Sequence, residues 1–110
     1  MKSIREQLLK AAEPKTETVT VGNITATATE LSAEQYLDTL NHPTCKIDDK
    51  YDGAAFTALL VARCMRDSDG QRIFADDDAG LLRQGSFSVY RQLAEAANRI
   101  NGLMGDEVKN

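Results

Sequence analysis

The chain has 110 residues, a formal charge of −4, a hydrophobic share of 42%, and three Phe, three Tyr and no Trp. That length supports one domain, whose single modest core must be filled by aliphatic and Ala side chains. The acidic balance, with no local run of Lys or Arg, argues against nucleic acid as a partner, and no apolar stretch is long enough to span a bilayer.

Read in chain order, a single domain over residues 1–110 divides into an amphipathic helix at 1–13, a β-hairpin at 16–29, a helical core at 32–104 and a frayed tail at 105–110. The opening segment "MKSIREQLLK" has scattered charge and no apolar signal core, so a cytoplasmic protein is expected. Ser3 and Glu6 have the spacing of a capping box, in which each side chain satisfies a free N–H at a helix start. Ile4, Leu8 and Ala11 or Ala12 make a narrow apolar stripe, and Pro14 ends the helix.

"TETVTVGNITATAT" is the clearest strand signal in the chain. A two-residue turn at Gly22-Asn23 pairs Val21 with Ile24, Val19 with Ala26 and Glu17 with Ala28. Alternation puts those residues on one face and a ladder of Thr on the other. A two-stranded ribbon is marginal alone, so its apolar face needs a helix or another subunit.

Ser32 and Gln35 form a second capping box, with Leu31 and Tyr36 as a hydrophobic staple, and Pro43 closes that helix. His42 at its end suits an interaction with the helix dipole. The segment "TCKIDDKYD" reads as a loop. Asp52 then caps a helix that is apolar nearly all round, with Phe56, Leu59, Leu60, Cys64 and Met65 at helical spacing, so it is expected at the centre. A short helix over "DDDAGLLRQG" and a longer one over "SFSVYRQLAEAANRING" complete the chain. In the last helix Phe87, Tyr90, Leu93, Ala97, Ile100 and Met104 form one stripe, and Gly102 is placed as a C-terminal cap. The fold expected is mainly α with one N-terminal hairpin, an α+β domain of about four to five helices.

The acid-rich stretch "CMRDSDGQRIFADDD" invites a calcium reading, but the spacing is wrong. A calcium loop wants acids at its first, third and fifth positions, glycine at the sixth and glutamate at the twelfth. Counted from Asp67, Gln71 takes the fifth position, Arg72 the sixth and Asp78 the twelfth. A turn at Asp69-Gly70, with Ile73 and Phe74 folding back onto the core, is the simpler reading. Asp76, Asp77 and Asp78 then sit where a helix start favours negative charge. A metal site would need a second cluster, which Asp48, Asp49 and Asp52 could supply only by folding over.

His42 and Cys45 lie close in sequence but lack any signature of a Cys/His nucleophile pair, and no phosphate-cradling or nucleophile-elbow motif occurs. Cys64 reads as a small buried hydrophobe. DNA binding by the last helix is disfavoured, since Glu95 lies between Arg91 and Arg99.

"LLVARCMRDSDGQRIFADDDAGLL", with a last helix ending "INGL", resembles the tail assembly chaperone family of long-tailed bacteriophages. The resemblance rests on an apolar helix leading into Cys64, the turn of Asp67, Asp69 and Gly70, the pair Ile73 and Phe74, and the acidic run from Asp76. It implies a non-enzymatic protein without a cofactor, whose partners are the tape measure protein, the major tail protein and further copies of itself in open or spiral arrays. It also implies action in the host bacterial cytoplasm, absence from the mature virion, and a short form beside a frameshifted, extended one. Candidate surfaces for self-association or client binding are Ile4 and Leu8, the hairpin residues Val19, Val21 and Ile24, and Phe87 and Tyr90 of the last helix. The competing expectations are a structural tail or connector subunit retained in the virion, and a small metal-dependent regulator.

Overall fold

The computed structural model describes residues 2–103. The expected Met104 contact and the tail at 105–110 lie outside the described residues. Helix α1 covers Ile4–Ala11, strands β1 and β2 cover Thr16–Val21 and Ile24–Thr29, and helix α2 covers Ala33–Leu40. A 3-10 turn at Pro43–Cys45 leads into strands β3 (Lys46–Ile47) and β4 (Lys50–Tyr51). Helix α3 (Gly53–Cys64) runs into strand β5 (Met65–Arg66), and helices α4 (Asp78–Gln84) and α5 (Phe87–Ile100) follow. The result is the α+β domain read from the sequence.

The β1–β2 hairpin has the expected register, with Val21 opposite Ile24, Val19 opposite Ala26 and Glu17 opposite Ala28. Its turn takes a positive φ only at Gly22 (62°), the glycine-first form that matches strand twist. The ribbon is not two-stranded, however. As α3 ends, Met65 turns extended and β5 pairs antiparallel with β2, Ala28 facing Met65 and Thr27 facing Arg66. A two-residue strand leaves no alternation in a sequence, so only the folded chain reveals it. The face carrying Val19 and Ala28 is covered by α5 of the same chain, and both residues are buried.

Residues 46–51 also depart from the loop expected there. They form a tight hairpin whose two turn residues, Asp48 (φ 52°) and Asp49 (φ 63°), both adopt left-handed backbone. Aspartate tolerates that conformation better than most residues, and the turn type demands it twice.

Helix α3 is central, as its all-round apolar character requires. Phe56, Leu59, Leu60, Val61 and Cys64 are buried, with Met65 just beyond. Asp52 caps it by accepting from the Ala54 N–H (3.0 Å). Tyr36 meets Phe56 edge to face with ring centres 5.7 Å apart, tying α2 to α3. The full capping box of α2 is present, Ser32 accepting from the Gln35 N–H and Gln35 from the Ser32 N–H. In α1 only half of it forms, because the Glu6 carboxylate meets the Ser3 hydroxyl instead of the Ser3 N–H.

Helix α5 closes the core with Leu93, Ala94, Ala96 and Ala97, while Tyr90 and Ile100 are half-buried. Small Ala side chains let it approach both α3 and the sheet. Phe87 does not join this stripe: it is 73% exposed at the first turn of α5, beyond the edge of the core. The C-terminus of α5 is a complete Schellman motif. Gly102 takes φ 74°, its N–H bonds to the Arg99 carbonyl (3.0 Å), and the Leu103 N–H bonds to the Asn98 carbonyl (2.8 Å).

His42 follows the C-cap Asn41 of α2, its N–H bonded to the Thr39 carbonyl (3.2 Å), and it has a second task besides the dipole contact expected there. It caps the 3-10 turn, its Nδ1 accepting from the Thr44 N–H (3.2 Å).

Candidate interaction surface

The acid-rich stretch is built as scaffold. The Asp67 carboxylate accepts from the N–H groups of Asp69 (2.9 Å) and Gln71 (3.0 Å), and the Asp67 carbonyl accepts from the Gly70 N–H (3.0 Å). The Asp67 Oδ1 and carbonyl thus shape the turn. The chain returns antiparallel to β5, with the Ile73 N–H bonded to the Met65 carbonyl (3.1 Å). Phe74 packs against the core, but Ile73 remains 44% exposed, so the return is anchored by Phe74 and the backbone rather than by both side chains.

Asp76 has a different task from the helix-dipole role read for it. It forms a two-point ion pair with Arg63 of α3 (Nε–Oδ1 3.1 Å, Nη2–Oδ2 2.9 Å) and accepts from Arg72 (2.8 Å). Arg63 also reaches Asp38 (2.8 Å) and the buried Thr39 hydroxyl (2.9 Å) of α2. This node joins α2, α3 and the loop before α4. Hydrogen bonding to Arg63, with help from Arg72, holds the Asp76 carboxyl well below the usual carboxylate range, and the same contacts push the Arg63 guanidinium up. Asp77 and Asp78 do open α4, where the Asp78 carboxylate accepts from the Ala75 N–H (2.9 Å).

Cys45 and Cys64 are free and buried, and burial pushes both thiols up, away from the reactive thiolate. The Cys45 Sγ faces the Thr39 carbonyl (3.4 Å), and Cys64 receives the Asn101 amide (3.3 Å). Among the described residues no group of His, Cys, Asp and Glu is disposed to hold a metal ion, and no helix is long and apolar enough to cross a membrane.

What the surface does carry is apolar. No residue of α1 is buried, and Ile4, Leu8 and Leu9 are 75%, 64% and 56% exposed. Ile24 projects from the hairpin tip at 68% exposure, whereas Val21 is half-buried and Val19 belongs to the chain's own core and offers no surface. Between α4 and α5 lies a groove of about 340 Å³ lined by Phe74, Leu81, Leu82, Val89 and Tyr90, with exposed Phe87 following its Ser86 wall. Leu81 and Val89 escape a sequence reading, because α4 is too short to show a periodicity and Val89 falls off the stripe of α5. A second, open groove at the root of α1 brings Ala12 and Pro14 beside Tyr36, Leu37, Asn101 and Leu103.

No known protein family and no curated relative matches the chain by sequence. A solved structure does match in shape: the bacteriophage HK97 tail assembly chaperone superimposes with a TM-score of 0.53 at 20% identity, over 87% of this chain and 99% of that one. The chain therefore has the fold of a bacteriophage tail assembly chaperone.

Proposed function

We propose that this protein is a non-enzymatic tail assembly chaperone, which associates with further copies of itself and holds the tape measure protein soluble while the major tail protein is recruited. The observation that carries this reading is the fold shared with the HK97 chaperone over nearly the whole of both chains. The surface supports it: an unpartnered amphipathic helix, an apolar hairpin tip and an apolar groove suit a protein that works by contact, while its thiols are buried. Its place of action is the host cytoplasm, and it leaves before the virion is complete.

Co-expression with the tape measure protein of the same phage or prophage tests this directly. The expected result is a rise in soluble tape measure protein and co-purification of the two; no rise and no co-purification would overturn it. Mass spectrometry of purified particles should find the chain missing, and its presence at stoichiometric amounts would identify a structural tail subunit instead.

A further inference from the structure

We propose that α1 of one copy docks in the groove between α4 and α5 of the next copy, so that copies add head to tail. The occupant is α1, which holds Ile4 and Leu8 one turn apart on one face, 75% and 64% exposed among the described residues. The acceptor is the groove of Phe74, Leu81, Leu82, Val89 and Tyr90, whose Leu81 is 66% exposed. An amphipathic helix laid in an apolar groove is a recurrent mode of recognition between chains.

Charge favours the same match. Residues 2–11 carry Lys2, Arg5 and Lys10 against Glu6 alone, and none of these three cations forms an ion pair with another described residue. Of the residues that line the groove, the one charged side chain is the acidic Asp78.

Geometry makes the contact intermolecular. The root of α1, at Ala12 and Pro14, shares a groove with Asn101 and Leu103 at the C-terminal end of α5. The acceptor groove lies at the other end, beside Ser86, Val89 and Tyr90. The length of α5 separates them by about 21 Å, whereas α1 is about 12 Å long. A donor and an acceptor at opposite ends of one molecule form a heterologous contact, which propagates as an open array unless its rotation happens to close.

This inference deepens the self-association in the proposed function, and the two fail separately: sedimentation without a client reads the interface, and tape measure solubility reads the chaperone role. Sedimentation velocity of the full chain, over a wide concentration range, is compared with Leu8→Asp, Leu81→Asp and an equimolar mixture of the two. Both positions are exposed, so circular dichroism should be unchanged. The wild type is expected to grow in size with concentration, and each variant to weaken association by about tenfold or more. The mixture should stop at a dimer, since one intact helix meets one intact groove. Ile24→Asp at the hairpin tip should associate as the wild type does. A monomeric wild type, undiminished association in either variant, a mixture that stays monomeric, or loss of association in Ile24→Asp alone would overturn the proposal.

Discussion

At the scale of single residues, the node around Arg63 contributes to the acid stability of the fold. The Asp76 carboxyl titrates below its ordinary range in the folded chain, because Arg63 and Arg72 stabilise its charged form. In the unfolded chain it takes up a proton near pH ~4, so the unfolded state binds protons first as pH falls. The stabilisation is therefore full above about pH 5 and drains away as pH drops through 4 and toward the folded value. Asp76→Asn should cost about 1–2 kcal/mol at neutral pH, at the modest end because the side chain is 35% exposed and partly screened. Urea titrations of both proteins should show that difference shrinking as pH is lowered; a constant difference would mean the ion pair is inert. Asn101 is the second such residue. Its Oδ1 accepts from the Leu31 N–H (3.0 Å), and its amide donates to the Ala97 carbonyl (2.7 Å) and to Cys64. Asn101→Ala strands a partly buried backbone donor and should cost about 1–3 kcal/mol, measurable by chemical denaturation.

At the scale of elements, each secondary structure forms for a reason that can be changed one residue at a time. The β3–β4 hairpin asks two consecutive aspartates for left-handed backbone, and the second of those positions favours glycine. Asp49→Gly should raise stability by roughly 0.5–1 kcal/mol, read as a higher denaturation midpoint with an unchanged slope. A lower midpoint would show that the Asp49 side chain contributes more than its backbone strain costs. The same elements show how far local pattern reaches. The capping box at Ser32 and Gln35, the cap at Asp52 and the hairpin register were all legible, because each depends on residues within a few positions of one another. The strand at Met65–Arg66 was not, because it exists only through its pairing with β2. Nor was the short hairpin at 46–51, whose strands of two residues carry no alternation.

At the scale of the whole molecule, α1 stands off the body. The radius of gyration is 15.1 Å, against about 13 Å for a compact chain of this length. Since no α1 residue is buried, deleting the chain through Ala11 should, at dilutions where both proteins are monomeric, leave the melting temperature nearly unchanged while lowering the radius of gyration measured by X-ray scattering. A large loss of stability would place α1 on its own domain in solution. Part of the candidate surface could be read in advance: Ile4 and Leu8 from their helical spacing, and Ile24 from its place on the apolar face of the hairpin. Leu81 and Val89 could not, and Val19, a candidate contact residue by its sequence, is enclosed in the chain's own core.

The sequence by itself determined the kind and order of the main elements, the caps that bound α2 and α3, the hairpin register and the central place of α3. Those follow from side-chain periodicity and local hydrogen bonding, which act over a few residues. Tertiary structure alone decided which apolar faces were covered and which charges were paired. It closed the hairpin with α5 and β5, set Asp76 against Arg63 across thirteen positions of chain, and left α1 and the α4–α5 groove bare. The acid-rich stretch shows the division best. Its turn could be read from Asp69-Gly70, but the role of Asp76 depended on an arginine brought to it only by folding.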